Sequence, residues 1–110
     1  MGMKAAFLAA VALVALLAAT PATSKPGTVV HIRDDAFTPA SITVHVGDSV
    51  TFVNDDDDAH TATADDGSWD SEGLNQGEKW THTYAKAGTI KYHCTVHPMM
   101  HGIVVVKADS

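Results

Sequence analysis

Cys94, His97 and Met100 follow one another at intervals of three in the segment Tyr92-His93-Cys94-Thr95-Val96-His97-Pro98-Met99-Met100, and the chain has no other cysteine. A thiolate, an imidazole and a thioether at that spacing converge only if the backbone loops around a common centre. Thiolate and thioether select Cu(I), imidazole also suits Cu(II), and the three joined by one further histidine make the donor set of a mononuclear electron-transfer copper site. Structural zinc is a poorer match, because it takes four strong donors and a thioether adds little beside them.

The start of the chain bears on where such a site would work. Lys4 precedes an apolar run from Ala5 to Ala19, and small residues with Pro21 lead to Ala22. A charged start, an apolar stretch and a small-residue cut make an export leader, so residues 1–22 are expected to be a signal peptide and 23–110 the mature domain. The apolar run is shorter than the roughly 18 residues of a membrane span, and no stable membrane insertion is expected. Without Lys4, six basic residues face thirteen acids, a formal charge of −7. That balance argues against a nucleic-acid partner. A lone cysteine in an exported chain has no internal disulfide partner and is a liability unless buried or metal-bound, which adds weight to Cys94 as a ligand.

The elements that must position these residues read as short strands. Thr28 to Ile32 is rich in β-branched residues and lies between Pro26-Gly27 and Asp34-Asp35. Ser41 to Val46 alternates, with Ile42, Val44 and Val46 expected to face the core, and Gly47-Asp48 turns the chain into Ser49 to Asn54. Lys79 to Tyr84 places Trp80, His82 and Tyr84 on one face; Thr89 to His93 and Ile103 to Val106 follow. Many short strands separated by Gly, Pro and Asp turns predict an all-β sandwich or barrel. The polar stretch from Asp65 to Gly77 reads as a long connection with room for one helical turn. A mature domain this small has a modest core, which a bound metal would reinforce.

Seven histidines are available for the remaining ligand position. His31, His45 and His82 lie within strands, and His93 neighbours Cys94 with opposite strand parity, so the two side chains point to opposite faces. His60 differs: it follows the acidic loop Asp55-Asp56-Asp57-Asp58-Ala59 and lies where a loop feeds a strand. If the strands before the two loops run in parallel, His60 reaches the same end of the sandwich as Cys94.

Taken together, Asn54 through His60 and Tyr92 through Gly102 resemble the cupredoxins, on the amicyanin- and plastocyanin-like branch of the small blue copper proteins. The resemblance extends from Thr28 to Lys107. It implies an eight-stranded Greek-key β-sandwich holding one type 1 copper ion that cycles between Cu(I) and Cu(II). It also implies one-electron shuttling between redox protein partners in the periplasm, with no enzymatic turnover. By position, the metal ligands fall on His60, Cys94, His97 and the weak axial Met100. Asn54 is expected to tie its loop to the backbone near Thr95, steadying the ligands from outside.

Three features qualify this resemblance. Val96 stands where relatives commonly have proline, and its N–H can point at the Cys94 thiolate. Met99 and His101, with His97 and Met100, form a donor-rich strip that leaves room for a second metal site, and hence for a periplasmic copper carrier or buffer that delivers metal to another protein. The acidic run reads either as a solvated turn or as a steering patch for a basic cytochrome, among partners that also include a dehydrogenase or oxidase. The chain itself is expected to be a monomer.

Overall fold

The structure is a computed structural model that describes residues 27–108. The leader expected at 1–22 and the start of the mature domain near Thr23 lie outside these residues. Eight strands follow in order: β1 (Thr28–Arg33), β2 (Ala36–Thr38), β3 (Ser41–His45), β4 (Ser49–Asn54), β5 (Thr63–Ala64), β6 (Lys79–Thr83), β7 (Gly88–His93) and β8 (His101–Lys107). They form two four-stranded sheets, ordered β2-β1-β4-β6 and β3-β8-β7-β5. Both sheets are mixed, since β1 runs parallel to β4 and β3 parallel to β8 while the remaining pairs are antiparallel. The chain crosses from one sheet to the other and back, which is how strands distant in sequence become neighbours.

Period-two alternation explains which faces meet. Val50, Phe52 and Asn54 are buried along β4, Val30 and Ile32 along β1, and Val104 and Val106 along β8, with their neighbours turned outward. Phe52 sits among the aromatic rings of the core, 5.4 Å from Tyr92, 5.7 Å from Trp69 and 6.1 Å from Trp80 between ring centroids. Full burial of a side chain of this kind stabilises by about 1.5 to 3 kcal/mol. Ile42 and Val44 face the core as their alternation predicts, but Val46 is exposed. Strand β3 ends at His45, and Gly47, with φ of 96°, turns the chain before Val46 can continue the alternation.

Two short strands escaped the sequence reading. The β1–β2 hairpin turns on Asp34 and Asp35, whose φ angles of 52° and 55° suit the two-residue turns that match strand twist. Asp tolerates this left-handed region better than most residues do. The other is β5, which pairs with the end of β7. The connection after β5 contains no helical turn. Bridges from Leu74 to His60 and from Asp70 to Thr63 stitch it to the segment beside the site, and Trp69 from this connection fills the core.

Gly102 is required by close approach. A Cβ at this position would overlap the ring and hydroxyl of Tyr92, which is fully buried two residues before Cys94. The overlapping atoms belong to a packed ring with no room to withdraw. Gly102→Ala is therefore expected to destabilise the fold by roughly 1 to 3 kcal/mol, read from denaturant midpoints at unchanged m-value.

Candidate metal centre

At one end of the sandwich the loop after β4 and the loop after β7 bring three donors together. His60 Nδ1 lies 3.7 Å from Cys94 Sγ and 3.2 Å from His97 Nδ1, and the thiol sulfur lies 4.0 Å from His97 Nδ1. The point equidistant from these three atoms is about 2 Å from each, which is the length of a metal–imidazole or metal–thiolate bond, roughly 2.0 to 2.3 Å. His60 and Cys94 are wholly buried, and His97 is partly exposed. The donor set fits a soft or borderline transition-metal ion.

The tautomer of His60 follows from its other nitrogen. Nε2 lies 2.9 Å from Asp56 Oδ2, and since a carboxylate only accepts, Nε2 carries the hydrogen. The neutral ring therefore turns the lone pair of Nδ1 toward Cys94 and His97. The same carboxylate accepts from the backbone N–H groups of Asp34 at 2.8 Å and Asp35 at 3.1 Å, so it fastens the β1–β2 hairpin to the ligand. Burial pushes the Asp56 carboxyl upward, but those two backbone bonds and the His60 imidazole outweigh it and hold the group below its ordinary value.

The sulfur has a donor of its own. Thr61 N–H lies 3.3 Å from Cys94 Sγ. The expectation that Val96 N–H serves the thiolate is corrected, because among the described residues the backbone donor to the sulfur is Thr61. Val96 instead lies on the surface, 54 % exposed.

Asn54 is buried, but its bonds run elsewhere than toward Thr95. Its amide donates to the carbonyls of Asp58 at 2.9 Å and Leu74 at 2.8 Å, and its oxygen accepts from Asp56 N–H at 2.9 Å. Asn54 thus closes its own loop upon the 65–77 connection, while the hydroxyl of Thr61 takes Thr95 N–H at 2.9 Å. The expected tie between the two ligand loops exists, but it is made by the residue after His60 rather than by the asparagine six residues before it.

The neighbouring methionines separate cleanly. Met100 is buried, whereas Met99 is 83 % exposed. The loop closes through Met100 N–H to the His97 carbonyl and Cys94 N–H to the Met100 carbonyl, which turns the backbone back upon Cys94. His93 faces away, as its parity predicts, and bonds Asp65 at 2.6 Å. In the sequence Asp56 reads only as part of the acidic run, and Thr61 and Leu74 carry no site role there; the structure gives Asp56 the support of His60 instead of steering. Asp56 carried a signal in hindsight, as a carboxylate four residues before a candidate ligand in the same loop.

The model of the cupredoxin-like domain matches residues 6–106. Amicyanin from Paracoccus denitrificans is 31% identical over 84 residues, which take in 72% of this chain and 64% of that protein, just under two thirds of its length. The structure of a reduced tryptophan-to-tyrosine variant of amicyanin superposes with a TM-score of 0.71 at 29% identity, covering 77% of this chain and 86% of that one. A copper-containing nitrite reductase from Thermus scotoductus gives 0.74 at 27% identity, covering 84% of this chain and 25% of that one.

Asp56 and Asp57 make a clean test of how the site is held. Asp56→Ala leaves two backbone N–H groups without their acceptor and the imidazole N–H with only Asp35 at 3.5 Å, and is expected to cost about 1 to 3 kcal/mol, with faster amide hydrogen exchange at Asp34 and Asp35. Asp57 is exposed and has no partner among the described residues, so Asp57→Ala should stay within about 0.5 kcal/mol.

Proposed function

The chain belongs to the cupredoxin-like domain family, and from that premise we propose that it carries single electrons on one type 1 copper ion held by His60, Cys94, His97 and Met100. The observation that carries this reading is the triangle of Nδ1, Sγ and Nδ1, two of its corners wholly buried and the third reaching the surface. When bound, copper supplies the one-electron couple. The chain does the rest. Cys94 supplies the thiolate, Asp56 keeps His60 in the tautomer that can ligate, and Thr61 N–H offsets negative charge at the sulfur. Burial of Met100, with Met99 turned to solvent, supports Met100 as the weak axial donor.

Ligands held from outside by hydrogen bonds resist displacement when the charge of the site changes, and four protein donors, three of them buried, leave no position for a substrate. These features favour a carrier over an enzyme, although the same fold occurs within the nitrite reductase. The rival reading, a copper carrier or buffer, rests on the strip of Met99 and His101. Met99 and His101 are both exposed, and among the described residues His101 joins no group of His, Cys or carboxylate donors.

Partners are read from the surface around His97. Val96 and Met99 are exposed beside it and offer a small apolar contact of the kind that weak redox encounters use. Of the four acids in the loop, Asp55 is engaged by His31 and Arg33 and Asp56 by His60, which leaves Asp57 and Asp58 outward together with Asp34, while Asp35 is exposed but lies 3.5 Å from His60 Nε2. That collar suits a basic redox protein, such as a cytochrome, or a dehydrogenase or oxidase with a positive docking face. No helix of the described residues is long and apolar enough to cross a membrane. Export by residues 1–22, a periplasmic location and a monomeric state complete the proposal.

Two measurements test it. Copper-loaded oxidised protein should show an intense visible thiolate-to-Cu(II) band that Cys94→Ser abolishes, and a colourless complex of the parent would overturn the assignment. Met100→Leu should keep copper bound and raise the potential, while Met99→Leu should do much less. Separately, Asp57→Asn with Asp58→Asn should slow electron transfer with a basic partner at low salt and flatten its ionic-strength dependence. Both substitutions spare Asp55 and Asp56, so the scaffold stays intact.

A further inference from the structure

Behind the ligand loops a row of hydroxyls runs from the site to the far connection. Thr63 Oγ1 donates to Asp70 Oδ1 at 3.0 Å. Thr61 Oγ1 lies 2.9 Å from Thr63 Oγ1 and 3.2 Å from Thr95 Oγ1, and it accepts Thr95 N–H at 2.9 Å. Each threonine has a single hydroxyl hydrogen. Thr63 spends its hydrogen on the carboxylate, so Thr61 must donate to Thr63, and Thr95 must then donate to Thr61. Every O–H in the row points the same way, toward Asp70.

We propose that Asp70, Thr63 and Thr61 form a directed hydrogen-bond chain that sets the electrostatic poise of the copper site, with Asp70 and Thr63 as positioning residues outside both ligand loops. This inference rests on the copper reading. The row ends at both ligands' neighbours, since Thr61 follows His60 and Thr95 follows Cys94, and Thr61 N–H is the donor to the Cys94 sulfur. A hydroxyl that donates becomes a better acceptor, so the carboxylate strengthens each bond along the row up to Thr95 N–H. The aligned O–H dipoles turn their negative ends toward the site and favour the more highly charged oxidation state. Asp70 is exposed, and solvent screens its direct field. Thr61 and Thr63 are 6 % and 9 % exposed, so the path through them is screened far less.

The test compares reduction potentials of copper-loaded variants, together with hydrogen exchange of the Thr95 amide in the metal-free protein. Asp70→Asn keeps an acceptor for Thr63 and removes the charge; Thr63→Val removes the link. Both should raise the potential, and Thr63→Ser should restore the parent value. Thr63→Val should also speed exchange at Thr95 by about fivefold, on the scale of one hydrogen bond. Thr51→Val serves as control, because it breaks a hydroxyl pair of 2.8 Å with Thr81 outside the chain and should leave the potential alone. Unchanged potentials in folded Asp70→Asn and Thr63→Val, or an equal rise in Thr51→Val, would overturn the proposal. If Thr63→Val does not fold, Asp70→Asn decides. A parent without the thiolate-to-copper band would mark failure of the copper reading instead, and the metal-free exchange result would still report on the chain.

Discussion

Three atoms bearing lone pairs do not rest within 4.0 Å of one another unless the surrounding protein holds them there. Without a metal, two imidazole nitrogens and a sulfur facing a common point can hold one another only through a shared proton, and water is kept from two of them by burial. An ion at the common point would satisfy all three lone pairs at once, so binding it adds to the stability of the fold. Much of the architecture at this end can be read as the means of meeting that constraint. Strands β4 and β7 deliver the two loops, and Gly102 lets the Tyr92 ring lie flat against β8 so that Cys94 emerges in register.

The loops are held by a few polar side chains that each satisfy several backbone groups. Asp56 joins the β1–β2 hairpin to His60, Asn54 joins its own loop to the 65–77 connection, and Thr61 joins the two ligand loops to each other. Buried or half-buried polar groups are expensive when unpaired, so networks of this kind specify one arrangement sharply. The acidic loop thereby divides in two: Asp55 and Asp56 are held by neighbouring side chains and backbone, and Asp57 and Asp58 face solvent.

Membership of the cupredoxin-like family places this chain among proteins that range from small carriers to parts of larger enzymes. Locally, threonine takes a mechanical role. The bond between the ligand loops comes from Thr61, and its hydroxyl is oriented from a carboxylate on a connection that contributes no ligand. The row of hydrogen bonds from the ligand loops thus reaches β5 and the loop beyond it.

The sequence by itself determined the fold class and the donor types. Alternation marked most of the strands, and the spacing of Cys94, His97 and Met100 announced a soft-metal loop, because periodicity and ligand chemistry are local properties. Parity alone excluded His93 from the site. Strands β2 and β5 were not legible, being three and two residues long and defined by their partners rather than by their own pattern. Which methionine is buried, which N–H meets the sulfur, and which side chain links the loops were decided only in the tertiary structure. Each depends on distances between segments far apart in the chain: Thr61 is 33 residues from Cys94, and Asp56 is 22 from the hairpin nitrogen of Asp34 that it binds. A sequence pattern records which groups can bond. Only the packing of the two sheets decides which of them come within reach.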